Sequence, residues 1–157
     1  MKMDQHPLFT GDTSVTVMTP DEPKYPAKAG GHPSFQAALR DMGLRYEITH
    51  GQYEKPERSY IIYGASRGQA QRLGGDFGQE AVLFSEGGKP EIHYTNGPNR
   101  GKSHPYQPEG NVMWDKQPNE PYWTHFPGYG YARLGFDWDQ LVDPEPRPTR
   151  PVFQNAV

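Results

Sequence analysis

Prolines gather at the two ends of this chain, where glycines accompany them, and limit where regular structure can form. Of the 157 residues, 18 are Gly and 17 are Pro. Residues 1–31 hold three prolines close together, followed by a Gly30-Gly31 pair. Such residues favour turns and irregular segments over helices and strands. We therefore predict an N-terminal arm over residues 1–31 that holds one short strand-like run at residues 14–18, with the packed core beginning after it.

Two segments in the middle of the chain have the apolar spacing of an amphipathic helix. The first starts at Ser34, a residue that can cap a helix, and the second starts at Ser66. Gly43 stands where a left-handed residue commonly ends a helix. Each helix then has one buried stripe, made of Phe35, Ala38, Leu39 and Met42 in the first and of Ala70, Leu73 and Phe77 in the second.

Four short runs around these helices have the pattern of β-strands. Residues 46–49 alternate between apolar and polar, and residues 59–63 are rich in β-forming side chains on both faces. Residues 81–84 and 91–95 flank a Gly87-Gly88 turn suited to a hairpin. The order is αββαββ. We predict a two-layer α+β core over residues 32–96, with two helices on one face of a mostly antiparallel sheet.

Beyond residue 96 the sequence returns to Pro, Gly and aromatic residues. Residues 97–142 contain groups such as Pro121-Tyr122-Trp123, and aromatic residues make up 13% of the whole chain. That content is too high for a disordered segment, so we expect these residues to pack, either on the protein's own core or on a partner. Residues 143–157 are Pro-rich and predict an extended tail in polyproline II conformation.

Charge and composition exclude several classes of protein. The net charge is −3, and no stretch gathers enough Lys and Arg to neutralise a row of phosphates, which disfavours broad nucleic-acid binding. The absence of Cys excludes disulfides and thiolate catalysis. The six histidines show no metal-ligand spacing, so we predict neither a metal nor a cofactor. No apolar run approaches the roughly 20 residues of a membrane span, and we predict a cytoplasmic protein without membrane contact.

Polar residues that could form a binding site lie at the strand ends and in the loops beside them. We predict a ligand-binding site, with no catalytic residue assigned, that consists of His50, Tyr53, Glu57, Ser59, Gln79 and His93. If the sheet brings His50 and Glu57 together, the imidazole could act as acid or base while the carboxylate orients its ring. The alternative is that Glu57 and Gln79 cap loop amides and His50 lies exposed.

Three short motifs resemble the signature of a family of small bacterial and phage proteins of unknown function. They are Gly51-Gln52-Tyr53, a Glu-x-Ser-aromatic strand at residues 57–60, and Phe77-Gly78-Gln79 before a further strand. The resemblance covers residues 34–95 and implies the same αββαββ order. It implies no reaction, cofactor or partner.

The missing catalytic motif and the long aromatic flanks favour a protein that works by binding. We predict a non-enzymatic bacterial or phage accessory protein, in the host cytoplasm or a virion, whose Pro-rich arms contact a protein partner or other copies of the chain. The alternative is a binder of a small nucleotide-like ligand, or a small enzyme, with its site at the six residues above. Two enzyme classes match less well: two-histidine phosphoesterases, through His32 and His93, and ADP-ribosyltransferases, through His50 and Glu57.

Overall fold

A computed structural model of the chain describes residues 2–53 and 55–140. The predicted tail at residues 143–157 lies outside the described residues. Within them are three α-helices: α1 Pro7–Thr10, α2 His32–Asp41 and α3 Arg67–Asp76. The described strands are β1 Val15–Met18, β2 Arg45–Tyr53, β3 Lys55–Tyr63, β4 Ala81–Glu86, β5 Lys89–Tyr94, β6 Ser103–Pro105, β7 Val112–Trp114, β8 Tyr122–Phe126 and β9 Gly130–Arg133.

These strands form one sheet in the order β6-β5-β4-β1-β3-β2-β8-β9-β7. Each neighbouring pair is antiparallel. Helices and a mostly antiparallel sheet therefore confirm the α+β class. The sheet extends well beyond the four predicted strands, because β1 comes from the N-terminal segment and β6 to β9 come from residues 97–142.

The N-terminal segment is not an arm, because β1 lies in the middle of the sheet between β3 and β4. Val17 pairs with Ile61 on one side and with Leu83 on the other. All four residues of β1 are buried. The strand-like run predicted at residues 14–18 thus forms β1, but a four-residue strand gives no local sign of the strands with which it pairs. The prolines of this segment lie outside the strand, Pro7 before it and the other three after it.

Helices α2 and α3 pack on the same face of the sheet. Leu39 of α2 and Leu73 of α3 are 0% and 1% exposed and belong to one apolar cluster, which also includes Tyr60 of β3 and Phe84 of β4. This agrees with the buried stripes predicted from helical spacing. The cluster covers β1, β3 and β4 and leaves the strands from β8 to β7 without a helix above them.

The helix ends follow the sequence signals in part. Ser66 and Gln69 form a reciprocal capping box at the start of α3. Gly43 has a φ angle of 70° directly after α2, as predicted for a helix stop. The start of α2 differs from the prediction, since the helix begins at His32 and Ser34 does not cap it. Pro33 explains the earlier start, because its fixed φ suits the first turn of a helix.

The opposite face of the sheet carries a second apolar cluster, which the two-layer prediction did not include. Met3 and Leu8 from the N-terminal segment lie on this face with Leu134 and Phe136, and Phe126 of β8 belongs to the same cluster. The sheet therefore buries apolar side chains on both of its faces. Trp123 and Phe126 are only 2% and 1% exposed. The aromatic segment therefore packs on the protein's own sheet, which decides between the two alternatives left open by the sequence.

The hairpin between β4 and β5 forms at the predicted turn. Gly87 and Gly88 have φ angles of 62° and 76°, as a two-residue hairpin turn requires. A side chain at position 88 would also lie 2.4 Å from the carbonyl oxygen of Phe9. Glycine thus serves both the turn and the close approach of the N-terminal segment. In residues 2–53 and 55–140, no helix is long and apolar enough to cross a membrane.

Candidate functional site

The six residues predicted as a ligand site do not converge. In the β2–β3 hairpin His50 is opposite Arg58, and Gly51 is opposite Glu57. Because successive residues of a strand point to opposite faces, His50 and Glu57 lie on different sides of the sheet. The imidazole and the carboxylate therefore do not form an acid–base pair. The backbone of Tyr53 ends β2 beside Lys55.

Ser59 and Gln79 are buried at separate places. Ser59 pairs with Thr49 across the hairpin, is 0% exposed, and its hydroxyl has no hydrogen-bond partner among the described residues. Gln79 is 0% exposed, and its Nε2 donates to the carbonyl of Phe77 at 3.0 Å. Strand β1 separates β3 from β4, which keeps Gln79 away from the strand of Glu57. Gln79 thus closes the turn between α3 and β4.

His93 belongs to a third location, a polar cluster between α3 and the strands β5 and β6. His93 Nε2 is 2.6 Å from Gln71 Oε1, and Nδ1 is 3.2 Å from the Ser103 hydroxyl. Glu91, two residues before His93 on the same face, forms an ion pair with Arg67 of α3 at 2.6 Å. Gln71 lies one helical turn after Arg67. Arg67 and Gln71 of α3 therefore bind Glu91 and His93 of β5, respectively.

In this cluster, burial and neighbouring charges have opposing effects on the pKa values of His93 and Glu91. Burial lowers the pKa of His93, and the nearby negative charge of Glu91 opposes that change only in part. Burial alone would raise the pKa of Glu91, but hydrogen bonds from Arg67 and Ser103 outweigh it and hold the pKa below its usual value. At neutral pH the cluster thus contains a neutral imidazole beside an ionised carboxylate.

The hairpin end of β2 and β3, from Ile48 to Arg58, together with β8, β9 and β7, presents a surface that we call the open face. It lies on the side of the sheet that carries α2 and α3, beyond the apolar cluster under those helices. Ile48 is 46% exposed there, the only large hydrophobic residue that is exposed among those the structure describes. By strand register the open face contains Ile48, His50, Arg58, His125, Tyr131 and Arg133.

Aromatic contacts organise the open face. The rings of His125 and Tyr131 stack with centroids 4.6 Å apart, and the ring of His50 lies 5.0 Å from that of His125. Trp123 is buried on the same face of β8, two residues before His125, with its ring edge-on to those of His50 and Tyr131. Burial lowers the pKa of His125, the neighbouring His50 lowers it further, and the negative charge of Glu47 opposes the change in part. A depression of about 500 Å³ adjoins Tyr131 at the β8–β9 turn, and Lys2 and Asp115 also line it.

A second depression, of about 630 Å³, is lined by three cationic residues and is best explained as the polar end of a helix. Lys28 and Arg72 both lie within ion-pair distance of Asp76, the last residue of α3. Asn96 donates to the carbonyls of Gly74 and Gly75 at the same helix end. The carbonyl end of a helix attracts cations and repels anions. The cations here balance that end, so a phosphate site is disfavoured.

Three further histidines tie the chain's flanking segments to the sheet. His32 lies 2.9 Å from the hydroxyl of Tyr60 and 2.8 Å from Asp21. His104 Nδ1 donates to the carbonyl of Asp137, and its Nε2 accepts from Tyr94. These roles are structural, and His32 lies over β3 while His93 lies on β5, which removes the basis for a two-histidine site. Among the described residues, no group of three or more His, Asp or Glu could hold a metal ion.

The third of these histidines is His6. From its burial we predict that the folded protein loses stability in acid. Its Nδ1 accepts from the backbone N–H of Leu8, and its Nε2 lies 3.1 Å from the hydroxyl of Tyr63, which donates to Glu47. The ring is 0% exposed, and burial lowers the pKa of His6 from 6.5 to about 4. Between these values the unfolded chain binds a proton that the folded chain does not. Stability should therefore fall by about 3 kcal/mol as the pH drops from 6.5 to 4.

Urea unfolding at several pH values between 7.5 and 4 measures this effect. His6→Gln removes the titrating group, so the curve of unfolding free energy against pH should be flatter for the variant than for the wild type. Other titrating groups are common to both proteins and cancel in the difference. Parallel curves for the two proteins would show that His6 does not carry the effect.

The chain matches no family model and no curated protein. The resemblance of its three motifs to a family of unknown function therefore stays a prediction. The open face and the polar cluster around His93 are the two regions of the structure whose geometry indicates a function.

Proposed function

We propose that this protein works by binding a protein partner through the open face. The observation that carries the proposal is a sheet surface without a helix over it, where exposed Ile48 adjoins stacked aromatic rings and two arginines. Tyr, Trp and Arg are enriched at the centres of protein interfaces. Trp123, buried beside these rings, gives the surface a rigid support. This replaces the predicted docking arms, because the aromatic segment is packed on its own core.

Charge indicates what kind of partner fits. Arg58 and Arg133 lie on the open face by strand register, while Asp115 lines the depression beside Tyr131 at its rim. The chain as a whole has a net charge of −3, whereas these two strand residues bring positive charge to this surface. A complementary partner is apolar at its centre and acidic at its rim. A second copy of the chain would bring like charges together, which disfavours a two-fold dimer through this face.

The proposal also includes the place where the protein acts. A bacterial or phage accessory protein, in the host cytoplasm or a virion, would use a small surface of this type to attach to a larger assembly. The resemblance of the Gly51-Gln52-Tyr53 motif and its neighbours supports that setting. A small nucleotide-like ligand is the alternative, and the depression beside Tyr131 is where its anionic groups would meet Lys2 and His125.

Site-specific photo-crosslinking tests the binding surface. A photoreactive side chain at position 48 should give a protein adduct in a bacterial extract. The same side chain at position 100, in the exposed loop near the other edge of the sheet, should not. Arg58→Glu should abolish the adduct at position 48, because it reverses a charge on the surface. Equal crosslinking from positions 48 and 100, or an adduct that persists in the Arg58→Glu variant, would contradict the proposal.

A further inference from the structure

The polar cluster around His93 has a feature that packing alone does not require: a serine hydroxyl beside an oriented, neutral imidazole at the rim of a groove. Ser103 lies on β6, at the edge of the sheet, and is only partly buried. Its hydroxyl is 3.2 Å from His93 Nδ1, within the distance of a nucleophile and its base. His93 itself is 2% exposed.

The tautomer of His93 is set by its other contact. Gln71 Oε1 lies 2.6 Å from Nε2 and accepts the proton of that nitrogen. Nδ1 is then unprotonated and faces the Ser103 hydroxyl, whose one proton can be donated either to this nitrogen or to Glu91. Glu91 Oε2 is 3.8 Å from Nδ1, and Arg67 holds this carboxylate in place. An imidazolium formed by taking the serine proton would therefore have a negative charge beside it.

A groove of about 490 Å³ begins at this serine. Ser103 and Glu91 line one side of it, and its other walls include Pro90, Pro105, Pro108 and Tyr106. Its volume falls within the usual range for small-molecule sites, and its surface is largely apolar. Lys89 also lines the groove and brings a positive charge to it. An apolar acyl chain fits these walls better than a sugar or a nucleotide.

We propose that Ser103 and His93 form a nucleophile–base pair that hydrolyses esters with an apolar acyl group. Ser103 Oγ forms a bond to the acyl carbon as its proton passes to His93 Nδ1. The bond from the acyl carbon to the leaving oxygen breaks, and that oxygen takes the proton and departs as an alcohol. Water then adds to the acyl carbon and gives a proton to His93, the bond from that carbon to Ser103 Oγ breaks, and Oγ takes the proton back as the carboxylic acid leaves. Gln71 and Glu91 are positioning residues in this scheme, and the activity goes beyond the binding function of the open face.

Covalent labelling tests the nucleophile directly. A fluorophosphonate probe should form one adduct per chain of the native protein, and peptide mass spectrometry should place it on Ser103. Ser103→Ala should give no adduct, while Ser34→Ala, at an exposed serine on α2, should label like the wild type. His93→Gln should slow labelling and the hydrolysis of p-nitrophenyl butyrate by at least about 100-fold, the usual contribution of a general base.

The pH profile separates catalysis from a purely structural cluster. The rate should rise with pH as His93 loses its proton. Glu91→Gln should move the midpoint of that rise to lower pH, because the carboxylate charge raises the pKa of His93. An unlabelled Ser103 in the folded wild-type protein would overturn the proposal. A rate that is the same in wild type and His93→Gln, or a midpoint unmoved in Glu91→Gln, would also overturn it.

Discussion

Replacing Val17 by Asp is expected to abolish folding. Val17 is 0% exposed and pairs with a buried strand on each side. An unpaired carboxylate at this position would cost several kcal/mol even after the structure relaxes. The total stability of a domain is only about 5–15 kcal/mol, so the change removes most or all of it. Far-UV circular dichroism and urea unfolding measure the loss.

Val112→Asp is the matched control for this experiment. It makes the same chemical change on β7, which is an edge strand of the sheet and in which Val112 is half-buried. We expect it to cost about 1 kcal/mol, as is common for substitutions outside the core. If Val17→Asp were no more destabilising than Val112→Asp, β1 would not be a central strand and the N-terminal segment would be an arm after all.

Leu39→Ala and Leu73→Ala should each lower the free energy of unfolding by about 2–5 kcal/mol. Both side chains are completely or almost completely buried between the helices and the sheet, and truncation leaves a cavity. Leu44→Ala is the control, because Leu44 packs against the same cluster but is only partly buried. Its loss should be smaller than either of the other two. A loss for Leu39→Ala or Leu73→Ala no larger than that for Leu44→Ala would mean that the helix in question does not cover the sheet.

Local spacing in the sequence was enough to identify α2 and α3, but not the four-residue α1. Phe35 and Leu39 lie one helical turn apart on a stripe that only a helix makes continuous, and both are buried as that pattern predicts. The Gly87-Gly88 turn was equally clear, because few residues other than glycine adopt two successive positive φ angles. Both signals act over a few residues and do not depend on the rest of the fold.

Strand β1 could not be placed from local pattern. Its two partners are residues 60–63 and 83–85, far away along the chain, and no short motif reports such a pairing. The strands β8 and β9 left a weaker trace. Residues 122–126 are almost entirely aromatic or β-branched, which is typical of a strand, but Pro121 and Pro127 on either side made them look irregular.

The predicted site failed for a related reason. His50 and Glu57 were correctly placed on neighbouring strands, but a shift of one residue in register decides which face each side chain takes. The register that forms puts His50 with the aromatic rings of β8 and leaves Glu57 on the other face. Gln79 was expected beside β3, and the insertion of β1 separated the two. Of the predicted residues, the register places His50 on the open face.

The most direct test of the open face as a binding surface uses the partner that crosslinking identifies, purified by itself. The quantity to measure is its affinity for the protein. Titration calorimetry should show that Arg58→Glu weakens binding by at least about tenfold, since like charges at an interface are strongly unfavourable. Arg100→Glu makes the same change in net charge at the opposite end of the sheet and should leave the affinity within about twofold of the wild type. Equal affinity of all three proteins, or equal weakening by both substitutions, would contradict a binding site on the open face.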